Sequence, residues 1–73
     1  MQQFSAYQIS ELKKAILNLR LDLKALEERY QCASADFYAA FSRGETEDSE
    51  DALLWAGLYE MLRDNEARLA KMQ

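Results

Sequence analysis

"ISELKKAILNLRLDLKALEERY", Ile9 to Tyr30, places Ile9, Leu12, Ile16, Leu19, Leu23, Leu26 and Tyr30 at successive steps of 3, 4, 3, 4, 3 and 4 residues. That spacing holds one apolar seam on one side of an α-helix, and its alternation is the heptad pattern of coiled coils. The stretch belongs to a chain with no proline and no valine, rich in Leu, Ala, Glu, Lys, Arg, Gln and Met. These are the strong helix formers, and strand-like alternation occurs nowhere. The sequence therefore predicts an all-α protein.

Ser5 and Gln8 have capping-box spacing, in which the hydroxyl and the amide side chain each cover a free backbone N–H. The first helix is expected over residues 6–31, about 39 Å long at 1.5 Å per residue, with Ser10 as a fallback start. A short helix is expected over 35–43, with Ser34 as N-cap, Asp36 in the first turn and Gly44 at the C′ position. A third helix, starting near Asp48 or Ser49 and covering about 50–71, repeats the 3/4 stepping. Its seam is Trp55, Leu58, Leu62, Leu69 and Met72, with Asn65 in one seam position and Leu54 and Met61 broadening the stripe. At about 33 Å it is long enough to pair with the first helix. The expected architecture is a long antiparallel helical hairpin with a short helix in the bend, forming a four-helix bundle on dimerisation. Residues 1–73 make one domain, and a chain this short buries a thin core.

The 73 residues carry a net charge of −4, unevenly placed. Residues 1–44 hold six bases and five acids, residues 45–51 five acids and no base, and residues 52–73 three of each. No one-sided basic surface suits nucleic acid. One cysteine, Cys32, and no histidine exclude an internal disulfide, a Cys/His zinc site and a histidine base. A single thiol fits a reducing cytoplasm, and no apolar run reaches the roughly 20 residues that span a bilayer. The expectation is a cytoplasmic protein that is not an enzyme and needs no cofactor or metal.

Three features are candidates for function. Glu45, Glu47, Asp48, Glu50 and Asp51 form an acidic run that fits the start of a helix and also fits docking to a basic partner. It lacks the central glycine of a calcium loop and the Glu-x-x-His motifs of a di-metal bundle. On the first helix, Leu17 and Leu21 lie about 140–180° from the main seam at 100° per residue. Tyr7, Ala25 and Cys32 fall near them, where an amphipathic helix is normally polar, so Tyr7, Leu17 and Leu21 are read as a second interface. Phe37, Tyr38, Phe41, Trp55 and Tyr59 are read as packing at the end of the hairpin. Asn65 either sets register or sits where the seam is wet, and Cys32 is a half-buried residue at a helix end.

The block "FYAAFSRGETEDSEDALLWAGLYEM", Phe37 to Met61, resembles a pattern in short bacterial and archaeal antitoxin-like proteins of toxin–antitoxin pairs. That pattern runs F-x-x-x-F-x-x-G-E, several acids, then W-x-x-L-Y-E. Here it falls on Phe37, Phe41, Gly44, Glu45, Asp48, Asp51, Trp55, Leu58, Tyr59 and Glu60. The pattern has an acid where this chain has Ser49 and another where it has Leu54. The resemblance implies a small helical protein that binds and restrains a toxin, here a small basic one. The sequence itself has no helix-turn-helix, ribbon motif or basic patch for nucleic acid, so no nucleic-acid or membrane contact is expected. The alternative is a structural or adaptor coiled coil that pairs only with itself.

Overall fold

The computed structural model describes residues 4–73. They form three helices, α1 (Ala6–Tyr30), α2 (Ser34–Ser42) and α3 (Glu50–Met72), with no strand among the described residues.

Each boundary has a local cause. The Ser5 hydroxyl accepts from the Gln8 N–H at 3.1 Å, and the Gln8 side chain accepts from the Ser5 N–H at 2.8 Å. This is the expected capping box, so the fallback at Ser10 is not used. α1 ends one residue earlier than expected because Gln31 turns into the left-handed region at φ 52°. α2 ends as the glycine requires. Gly44 has φ +71°, its N–H donates to Phe41 C=O, and Glu45 N–H donates to Ala40 C=O. Those paired bonds are a Schellman motif. α3 starts where the Ser49 hydroxyl accepts from the Ala52 N–H at 3.0 Å, with Glu50 and Asp51 in its first turn.

The start of α2 corrects one expectation. Ser34 is the first residue of the helix, preceded by Ala33, and its hydroxyl does not cap the helix. It accepts instead from the Trp55 indole N–H at 2.9 Å. The capping task passes to α1, whose Glu27 carboxylate accepts from the Ser34 N–H at 2.7 Å.

α1 and α3 pack along each other, and their contacts step in opposite senses: Tyr30 meets Trp55, and Arg20 meets Glu66. The core is Ile16, Leu19 and Leu23 from α1 against Trp55 and Leu62 from α3, flanked by half-buried Leu12, Leu26, Leu58 and Leu69. α2 lies against α3. The radius of gyration is 14.2 Å. A globular chain of this length has about 11 Å, so the molecule is a rod whose core is one layer thick. Accordingly, no described side chain is less than 2 % exposed.

Two further expectations fail here. Leu54 and Met61 do not broaden the inner stripe of α3; both face solvent, as does Leu53. Ala52 and Ala56 are buried beside Trp55 instead. Cys32 does not join Leu17 and Leu21 on the outer side of α1. It packs against the core, because the chain has already left the helix at Gln31.

Candidate functional site

The end of the molecule where the three helices meet is organised around Trp55. Its ring stacks on Phe37 with centroids 4.0 Å apart and planes 4° from parallel, and on Tyr30 at 5.6 Å. Phe37 also touches Phe41, and Tyr38 lies against Tyr59 at 5.1 Å. These contacts bear out the reading of the aromatics as packing between helices. They leave a hollow of about 240 Å³ lined by Tyr30, Cys32, Phe37, Glu47, Asp51 and Trp55, among others.

The acidic run divides in the structure. Glu45, Glu47, Asp48 and Glu50 are exposed, and Glu45 pairs with Arg43 at 3.0 Å. Asp51 is different. It turns inward, accepts from the Tyr30 hydroxyl and pairs with Arg29 at 3.5 Å. As an element of a docking surface it is therefore already engaged within the chain. The carboxylate raises the Tyr30 pKa from 10.0, first through the hydrogen bond, which needs the phenol proton, and then through partial desolvation and its negative charge. Tyr38 is raised likewise by its 2.7 Å hydrogen bond to Glu60.

The second candidate surface is on the outer side of α1. Leu17 is 58 % exposed, Leu21 57 % and Tyr7 72 %. From Tyr7 to Leu21 is about 21 Å of helix, and from Leu21 to Tyr30, beside the acids, a further 14 Å or so. The leucines and the acids are thus separate patches along the rod. Leu53, Leu54 and Met61 make a third patch, on α3. The 3/4 stepping of α3 draws Leu54 and Met61 to the core, but their angular position at 100° per residue already sets them apart from the seam.

Among the described residues no group of three or more His, Cys, Asp or Glu is placed to hold a metal ion. No described helix is long and apolar enough to cross a membrane. The hollow beside Trp55 is lined by the carboxylates of Glu47 and Asp51. What the surfaces offer is exposed apolar side chains on rigid helices, the makings of protein contacts. Comparisons with protein-family models, curated proteins and solved structures find no match to the chain.

Proposed function

We propose that the chain is a non-enzymatic protein-interaction module. It is an antiparallel helical hairpin that pairs with a second copy as a four-helix bundle and binds and restrains a toxin-like partner protein. The observation that carries this reading is the exposure of Leu17 and Leu21, one turn apart on a helix whose other side already holds the core. Two large apolar side chains held there on a rigid helix supply the desolvated anchor around which interface energy concentrates. Glu47, Asp48 and Glu50, exposed at one end of the rod, supply the charge that steers a basic partner and orients it. The class of partner comes from the resemblance of residues 37–61 to antitoxin-like proteins.

The test is growth rescue. The protein encoded beside this one, expressed alone, arrests growth, and co-expression of the wild-type chain relieves the arrest. Leu17→Asp with Leu21→Asp removes the relief while the chain stays helical. Unchanged rescue by that double variant would overturn the assignment of the surface, and a harmless neighbour would overturn the toxin reading. The second reading, a coiled coil that pairs only with itself, is favoured by the exposed Leu54 and Met61, which need nothing but another copy to cover them.

A further inference from the structure

Gly57 stands in the middle of α3, where glycine costs about 0.5–1 kcal/mol relative to alanine. Nothing inside the molecule requires it: a Cβ built at Gly57 meets no atom within 4 Å, and its φ is not left-handed. Around this notch stand the exposed apolar side chains of α3. Leu53 and Leu54 precede it by four and three residues and Met61 follows by four, all more than half exposed. At 100° per residue, Leu54, Gly57 and Met61 form a stripe about 90° from the inner seam of Trp55, Leu58, Leu62 and Leu69. Two stripes at right angles are what a helix needs to touch two neighbours in a four-helix bundle. α2 touches α3 at Trp55, Tyr59 and Glu60, so this stripe faces away from it.

We propose that the Leu54–Gly57–Met61 stripe is the face on which a second copy of this chain packs, with the two α3 helices antiparallel. The proposal refines the self-association part of the reading above and is independent of the toxin.

Charge selects both occupant and direction. The stripe continues in 4/3 steps to Glu50 on one side and to Asp64, Arg68 and Lys71 on the other. α3 is thus entered by acids, Glu47, Asp48 and Glu50, and left by bases, Arg68 and Lys71. Parallel copies would set like charges side by side. Antiparallel copies lay Glu50 against Arg68 of the second copy, twice over by symmetry. In the same register each Met61 enters the notch at the other copy's Gly57, the knob-and-hole contact that a Cβ there would obstruct. Leu54 meets the layer of Asp64, whose carboxylate already lies 3.5 Å from Arg68.

The experiment is the solution mass of the purified chain by light scattering across a dilution series, with helicity recorded for each variant. The wild type is expected to be a dimer, and Leu54→Glu with Met61→Glu a helical monomer. Gly57→Leu is expected to weaken pairing at least tenfold. Glu50→Arg and Arg68→Glu should each weaken it alone and restore it when combined, a result that depends on register and survives any concern about folding. A wild type that is monomeric throughout would overturn self-association itself. A dimer dissociated by Leu17→Asp with Leu21→Asp but not by the α3 variants would overturn only this face. Failure of the combined charge reversal to recover pairing would overturn the antiparallel register.

Discussion

The indole N–H of Trp55 donates to the Ser34 hydroxyl at 2.9 Å, with both residues at least 96 % buried, as their 3 % and 4 % exposures show. Ser34 in turn offers its backbone N–H to Glu27 at 2.7 Å. One chain of two hydrogen bonds therefore ties α1, α2 and α3 together at the aromatic end. In an interior this thin, the bond does more than add a contact. It lets the largest apolar surface in the chain be buried without stranding its donor.

Ser34→Ala removes the acceptor that the buried indole N–H uses. Leaving a buried N–H unpaired costs about 1–3 kcal/mol. Urea unfolding of the variant should show a loss in that range. The double variant Ser34→Ala with Trp55→Phe should lose less in total than the sum of the two single changes, since the donor and its acceptor act as one unit. Additive losses would mean that the pair contributes no coupling.

The two raised phenols set a limit at alkaline pH. Tyr30 and Tyr38 each donate to a carboxylate, Asp51 and Glu60, and each pKa lies above 10.0 in the folded chain. Their contribution to stability is therefore complete below the unfolded value of about 10. It is lost as pH rises from there through the raised folded values, where the unfolded state has released protons that the native state still holds. The melting temperature should fall over that window, and phenolate absorbance should develop later in the folded chain than in urea. Tyr30→Phe with Tyr38→Phe should flatten the alkaline fall. An unaltered fall in the double variant would place its origin in other groups.

How much of this was readable beforehand follows from how local each cause is. The capping box at Ser5 and Gln8, the serine start of α3 and the Gly44 stop all act within about one turn of chain, and each is where the residues put it. The heptad of α1 is also a short-range signal, and it identified the buried side through Ile16, Leu19 and Leu23. A serine at a helix start ordinarily caps it, whereas Ser34 accepts from an indole 21 residues away. Asp51 was counted with its acidic neighbours because only the packing of α3 on α1 brings it to Tyr30 and Arg29. The 3/4 stepping alone draws Leu54 and Met61 inward; the structure packs α2 against Trp55, Tyr59 and Glu60, on the other side of α3, and leaves those two exposed.

Gln31 closes α1 at φ 52°, a conformation that glycine adopts freely and other residues adopt at a penalty. Gln31→Gly should raise stability by about 1 kcal/mol, reduced by the loss of the exposed 2.7 Å bond from its side chain to Glu28 C=O. Gln31→Val, with a branched side chain in the same backbone state, should lower it. Thermal melts of the two variants check the pair of signs. A destabilised glycine variant would show that the side-chain bond outweighs the backbone penalty.

Leu17→Asp with Leu21→Asp bears on the outer face of α1. Each side chain is more than half exposed and contributes little to the interior. Surface substitutions of this kind change folding free energy by about 0.5 kcal/mol or less each, so the helical circular dichroism and the urea midpoint should stay close to wild type. Binding of the restrained partner should fall by far more, because a carboxylate forced into a desolvated contact costs several kcal/mol unless it finds a cation. Self-association through α3 should persist, since the substituted face lies on the opposite side of α1 from the core. The contrast between retained fold, retained pairing and lost restraint separates a partner surface from a structural one. If the variant lost its helicity, the two leucines would belong to the interior, and the division of α1 into a buried and an outward apolar face would be wrong.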